Sequence, residues 1–251
     1  MGNLVHCTVD RNVATITLDS QANRNALSRG LLEGLHQALD RSEAADVRVV
    51  VLTHAGPAFC AGADLKERGE GPVDSTPMVR ALQRLSDHRV PTIAAVQGAV
   101  RAGGIGLMAA CDLVVVATST TFAFTEVRIG VAPAIISVPI LRRVSPTAIA
   151  PAFLTGASFD ADEARRIGLV DVVSDDVDAA VDELVAGVLM GAPDAVAETK
   201  RLLRRVPTLD RDDGYEEMRL LSEKLFAGAD AREGIAALFE KRATSWQRAD
   251  S

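Results

Sequence analysis

The chain has 251 residues, 48% of them hydrophobic, enough to bury a sizeable core in one main domain with a helical tail. Lys and Arg number 27 against 34 Asp and Glu, and the net charge of −7 with scattered acids disfavours a nucleic-acid partner and favours work on a small molecule. Cys7, Cys60 and Cys111 sit at spacings that suit neither a disulfide framework nor a zinc site, so no metal is expected.

The N-terminus lacks both a basic start and an apolar run, which together with the cysteine usage predicts a cytoplasmic protein. The longest apolar stretch, residues 105–118, is interrupted by Gly106 and Asp112 and is read as core, not as a membrane span. From the start of the chain, residues 4–9 and 13–18 predict antiparallel strands joined by a turn at Asp10, Arg11 and Asn12. Ser28 then precedes Leu31, Leu32, Leu35 and Leu39, the spacing of a capped helix ending near Ala45. Residues 48–53 (RVVVLT) form an almost wholly apolar β-branched run, as expected of a strand covered on both faces. Residues 69–77 carry the composition of a mobile loop. Two more strand runs, 92–96 and 112–117, flank a glycine-rich turn and helix, and this alternation defines an α/β fold with a mainly parallel sheet. Asp160 and Glu163 suggest a capping box, Gly168 a helix stop and residues 170–173 a brief strand. Amphipathic helices dominate from Val177 onward, and the basic run Lys200, Arg201, Arg204 and Arg205 reads as a solvated helix face.

Three segments could carry chemistry. In residues 59–66 (FCAGADLK), Ala61, Gly62 and Ala63 leave room for a ligand against the backbone, or else form a tight turn. In residues 91–110, Gly98, Gly103, Gly104 and Gly106 open a helix whose unpaired N–H groups suit a phosphate or a developing oxyanion. Gly104, Gly106 and Ala109 also satisfy a dinucleotide fingerprint, but GAVRA separates the strand from Gly103, which argues against that reading. In residues 122–131 (FAFTEVRIGV), Glu126 lies among apolar and small neighbours, where a raised pKa suits a proton shuttle; an ion pair with Arg128 or a capping role is the alternative. No GxSxG, HExxH or GxxxxGK[ST] motif occurs, and the four histidines stand singly.

Taken in order, FCAGADLK, PTIAAVQGAVRAGGIGLMAACDLVVVA, FAFTEVRIGVAP and LTGASFDADEARRIGLVDVV, with NRNALS before them and EGIAALFEKRATSW after, resemble the crotonase family of enoyl-CoA hydratases and isomerases. The resemblance implies a spiral of ββα units over residues 1–190 that carries the coenzyme A and acyl site. It further implies a helical trimerisation region over 191–251, in a homotrimer or hexamer. It implies an acyl-CoA thioester as substrate, coenzyme A being part of the substrate with no separate cofactor. Coenzyme A is expected across Asn25, Ala61 and Lys66, with Gly62, Asp64, Gly104 and Gly106 also at the substrate, and the thioester oxygen between the N–H groups of Ala63 and Gly103.

Hydratases of the best-known type use two glutamates. The later position is Glu126 here; the earlier is Gly106, which carries no proton. Hydratases similar to methylglutaconyl-CoA hydratase also have glycine in this context, and TEVRIGVAPAIIS resembles that branch. The expected activity is therefore hydration of a 2-enoyl-CoA with Glu126 as acid and base. Isomerisation of a 3-enoyl-CoA by the same carboxylate, or acyl-CoA binding without catalysis, are the alternatives. Residues 67–85 are expected to line the acyl pocket.

Overall fold

The opening hairpin pairs β1 (Val5–Asp10) with β2 (Val13–Leu18), and its tight turn holds Arg11 and Asn12 at φ 44° and 65°, the left-handed pair that matches the twist of the strands. The structure is a computed structural model that describes residues 3–44, 46–67 and 74–248. Helix α1 (Arg29–Ala44) follows, and Ser28 Oγ accepts the Leu31 N–H at 3.2 Å, as its sequence predicted for an N-cap.

Three turns of one spiral come next. Each contributes a longer strand to one sheet, a short strand to a second sheet, and then helix. The first comprises β3 (Val49–His54), β4 (Ala58–Cys60) and α2 (Thr76–Asp87). The second is β5 (Thr92–Val96), β6 (Ala99–Arg101) and α3 (Gly103–Ala110). In the third, β7 (Leu113–Ala117) and β8 (Thr121–Ala123) lead into a 3-10 turn (Glu126–Ile129) and α4 (Ala134–Arg143). After α5 (Pro146–Thr155), β9 (Phe159–Asp160) and α6 (Ala161–Arg166), strand β10 (Val172–Ser174) rejoins the first sheet. That sheet has six strands in the order β1-β2-β3-β5-β7-β10, and the second has four in the order β4-β6-β8-β9. All pairings from β2 to β10 in the larger sheet are parallel, which is the predicted α/β spiral.

The apolar run of β3 is explained by what covers it. Val50 and Leu52 face the main core with Ile105 and Phe122, whereas Val49 and Val51 face Val177 and Val181 of α7 (Val177–Leu189). A strand buried on both faces has no use for alternating polar residues. Half of the expected capping box of α6 forms: Asp160 Oδ1 accepts the Glu163 N–H at 2.9 Å, while the Glu163 carboxylate pairs with Arg166, and Gly168 at φ 84° ends the turn. Of the predicted loop at 69–77, residues 69–73 lie outside the described residues, and Thr76 and Pro77 already belong to α2.

The tail consists of α8 (Pro193–Arg205), α9 (Arg211–Phe226), α10 (Ala229–Glu240) and α11 (Ser245–Arg248). The basic run on α8 is not uniformly solvated, which corrects the sequence expectation. Lys200 is only 7% exposed; its Nζ lies 2.7 Å from Asp112 Oδ2 and donates to Val90 O at 3.0 Å. Burial holds the Lys200 ammonium below its ordinary pKa, against the pull of Asp112. Asp112 in turn accepts the N–H and hydroxyl of Thr92 at 2.8 and 3.1 Å, so this pair pins the tail to the start of β5. Lys200→Ala should lower the unfolding free energy by about 1–3 kcal/mol, read by chemical denaturation, because half-buried Asp112 loses its cation and keeps only the Thr92 donors. A loss below about 1 kcal/mol would show that the pair contributes little to anchoring the tail.

Candidate active site

A cavity of about 450 Å³ opens between α2, α3, the segment after β4 and the residues from Thr125 to Ile136. Its walls are largely apolar, with Leu27, Leu65, Met78, Ile129, Val131 and Ile136 among the residues that line it. Ala61, Ala63, Gly103 and Glu126 all line it, so four of the ten residues expected at the site converge on one space.

Ala63 and Gly103, whose N–H groups are the expected donors, are positioned by local geometry. Ala63 forms a parallel bridge with Leu27, in which the Leu27 N–H donates to Gly62 O at 2.8 Å and the Asp64 N–H approaches Leu27 O at 3.5 Å. In such a bridge the N–H of the central residue points away from the partner strand, and Ala63 lines the cavity. Gly103 opens α3, where the first amides have no acceptor within the helix. Ala102 before it sits at φ 48° and ψ −119°, a conformation unfavourable for a side chain and held by the Ala102 N–H to Ala123 O bond at 3.0 Å.

Gly62 and Ala102 bring these donors together. A Cβ built on Gly62, which is itself at φ 93°, would lie 2.9 Å from Ala102 Cβ and 3.4 Å from Arg101 O. The room that glycine creates is thus occupied by the neighbouring turn, so the turn before Ala63 packs against the turn before Gly103. Gly104 serves the same purpose one residue on, since its Cβ would meet Cys60 Cβ at 2.6 Å.

Glu126 begins the 3-10 turn after β8 and is half-buried. Its Oε2 is buried and has no hydrogen-bond partner among the described residues. Arg128 turns away and donates instead to Thr155 O at 3.4 Å, so the expected alternative of a Glu126–Arg128 ion pair is not formed. Burial lifts the Glu126 carboxyl above the ordinary carboxylate pKa, partly offset by a hydrogen bond from its own backbone N–H. An unpaired carboxylate at an apolar cavity is costly to a fold and suited to proton transfer.

The remaining expected residues support the site from behind or beside it. Asn25 is fully buried: its Oδ1 accepts the Ser20 N–H at 2.6 Å, and its Nδ2 donates to Ala55 O and Ala58 O at 3.0 and 2.9 Å. It clamps the preceding loop to the turn between β3 and β4. Asp64 accepts from Asn23 Nδ2 at 3.1 Å and from the Lys66 N–H at 3.1 Å, and the Lys66 side chain is exposed outside the cavity wall.

Gly106 stands where a second carboxylate would be carried, yet no space for one exists. A Cβ there would lie 2.4 Å from Ile136 Cγ2 and 2.8 Å from Ile136 Cβ. Sequence reasoning missed Ile136, because a contact between α3 and α4 leaves no signature in either segment alone. Met78, Ala102 and the wall from Val131 to Ile136 were likewise unmarked, although Met78 falls within the 67–85 stretch expected to line the pocket.

Residues 8–249 match the family model described as enoyl-CoA hydratase/isomerase. A Thermus thermophilus protein provisionally named an enoyl-CoA hydratase is 38% identical over 242 residues, spanning 92% of this chain and 96% of that one. The crystal structure of an enoyl-CoA hydratase from Shewanella pealeana superposes with a TM-score of 0.92 at 26% identity, covering 97% of this chain and 96% of that one. For an enoyl-CoA hydratase from Mycobacterium avium the TM-score is 0.75 at 42% identity, covering 98% and 100%. Motif order, spiral topology and these likenesses agree, and the chain belongs to the enoyl-CoA hydratase/isomerase family.

Proposed function

We propose that this protein adds water to the double bond of a 2-enoyl-CoA, and the observation that carries the reading is the unpaired Glu126 carboxylate at a cavity shared with Ala63 and Gly103. The thioester oxygen accepts hydrogen bonds from the Ala63 and Gly103 N–H groups, which draws electron density from the conjugated double bond and opens Cβ to attack. Ionised Glu126 takes a proton from water as its oxygen bonds to Cβ; the C=C electron pair moves to Cα and the oxyanion. Protonated Glu126 then delivers that proton to Cα, the thioester carbonyl re-forms, and the carboxylate is ready again. Coenzyme A enters as part of the substrate, and these steps require no separate cofactor.

The experiment is consumption of the conjugated thioester absorbance of crotonyl-CoA or a longer 2-enoyl-CoA, with the 3-hydroxyacyl product identified by mass. No consumption with any 2-enoyl-CoA would overturn the reading. A second reading, isomerisation of 3-enoyl-CoA to 2-enoyl-CoA, is favoured by the contact of Ile136 with Gly106, because one carboxylate suffices to move a proton between Cα and Cγ. It predicts growth of the same absorbance from a 3-enoyl-CoA.

Gly62→Ala tests the oxyanion pair by separating its two turns. It should lower kcat by on the order of 10- to 100-fold while leaving KM little changed, because a small misplacement of catalytic groups is enough for such a loss. An unchanged kcat would detach the Gly62–Ala102 contact from catalysis.

We also propose that the helices within residues 191–251 build a homotrimer, in a cytoplasmic enzyme. Tyr215, Phe226, Leu238 and Phe239 are large apolar side chains left exposed on α9 and α10, as expected of surfaces that a second copy covers. Light scattering after size exclusion should give three times the 26.5 kDa chain mass, or six times if trimers pair. Among the described residues no helix is long and apolar enough to cross a membrane.

A further inference from the structure

A second cavity of about 450 Å³ lies where the tail meets the core, lined by Asp87, His88 and Arg89 at the end of α2, by Arg142 on α4 and by one face of α8. Arg89 stands just before β5, whereas Gly103 follows β5 and β6, so the two cavities lie toward opposite ends of that strand, and they share none of their described lining residues. In a chain of net charge −7, six cations line this one space: Arg89, Arg142, Lys200, Arg201, Arg204 and Arg205. The carboxylates among its lining residues are those of Asp87 and Glu198. We propose that this cavity binds a small anion carrying a diphosphate group, independently of the chemistry at Glu126.

Four of the six cations already face a carboxylate: Lys200 with Asp112 at 2.7 Å, Arg201 with Glu198 at 2.6 Å, Arg205 with Glu217 at 2.9 Å, and Arg204 with Asp87. Arg89 and Arg142 form neither an ion pair nor a side-chain hydrogen bond among the described residues, so two guanidinium forks on the cavity are uncommitted. The pairs of Arg201 and Arg205 are partly exposed and each worth little, which leaves both able to turn to a stronger anion. The wall beside them is fixed. His88 and Lys200 line the cavity yet are only 5% and 7% exposed. His88 Nδ1 accepts the Val90 N–H at 3.3 Å, which keeps the ring neutral, and Lys200 Nζ donates to Val90 O at 3.0 Å. Burial and then the charge of Lys200 hold the His88 pKa below its ordinary value, in keeping with a positive potential at this wall. A carboxylate satisfies one guanidinium fork, whereas two linked phosphoryl groups can engage several of these cations together. The volume is that of a small-molecule site, and an anion held there would tie α8 of the tail to α2 and α4 of the core.

Calorimetry on the whole chain with inorganic pyrophosphate, ADP and AMP at matched ionic strength tests the site. Pyrophosphate should bind, and at a hundredfold excess over its Kd it should raise the melting temperature by about 3 °C or more. Arg89→Gln and Arg142→Gln should each weaken binding about tenfold. Arg211→Gln, which replaces an 83% exposed guanidinium outside the cavity lining, should leave the affinity within about twofold. Equal losses from all three changes would mean that the anion follows bulk charge and would overturn the proposal. So would binding that Arg89→Gln and Arg142→Gln leave unchanged, or no binding of pyrophosphate and ADP. Tighter binding of ADP than of pyrophosphate would support the site with a nucleotide as the source, and equal binding would support it with free diphosphate. AMP binding as tightly as either would overturn the requirement for two phosphoryl groups. Saturating pyrophosphate should leave the Kd of hexanoyl-CoA unchanged; competition between the two would place the anion in the candidate active site and remove the second one.

Discussion

Glu126→Gln should abolish turnover, lowering kcat by about 10⁴-fold, while the melting temperature stays level or rises. The first half follows from the chemistry on the page: Gly106 cannot take over a proton, and among the described residues no other titratable side chain lines the cavity. The second half follows from the sign of the Glu126 shift. Its folded pKa is raised by burial, so ionisation disfavours the folded state, and the stability tied to its neutral form is lost as pH rises through the folded pKa. Gln removes that charge and keeps the shape. The wild-type rate should show the opposite limb, falling as pH drops through the raised pKa, because water is activated by the ionised form. Parallel pH profiles of rate and thermal unfolding for the two proteins check both halves. A glutamine variant that loses stability at neutral pH, or retains the wild-type rate, would remove Glu126 from the role assigned to it.

Gly106→Ala should destabilise the protein by about 1–3 kcal/mol, measured by denaturant midpoint. The sign is the informative part, because replacing glycine by alanine inside a helix ordinarily stabilises by about 0.5–1 kcal/mol. Here the added methyl would lie 2.4 Å from Ile136 Cγ2, and all of α3 after Gly103 is buried, leaving little freedom to shift. Gly106→Glu should cost at least as much and confer no added hydratase activity, since the carboxylate has nowhere to reach. Combining either change with Ile136→Ala should recover part of the loss, a favourable coupling that a double-mutant cycle would quantify. A stabilised Gly106→Ala variant would mean that Ile136 yields easily and that the second-carboxylate position is only nominally closed.

How much of this was legible in the chain depends on which atoms carry the information. The long strands of the larger sheet announce themselves as β-branched runs, and β2 and β5 occupy the residues the pattern predicts. The smaller sheet was invisible, because β4 and β6 are three residues each and too short for any period to show. Glu126 could be suspected from its apolar neighbours alone. Ala63 and Gly103 could not, since a backbone N–H looks the same in every residue, and only the resemblance of the whole motif series singled them out. Lys200 was misread because charge on an amphipathic helix normally faces water, and its partner Asp112 lies in a different part of the chain. Ile136 is the instructive omission: it fills the space beside Gly106, and filled space between two helices is not written in either one.

The contact between Gly62 and Ala102 has a consequence for how such a protein can diverge. The two N–H groups proposed as anion donors belong to the main chain, so no exchange of side chain removes the groups themselves, and a change that spreads the two turns is what would silence them. The proposed proton donor, Glu126, is by contrast a single side chain that one substitution removes. Loss of that one side chain would therefore leave the proposed enolate station in place, so the two halves of the proposed chemistry are separable by mutation.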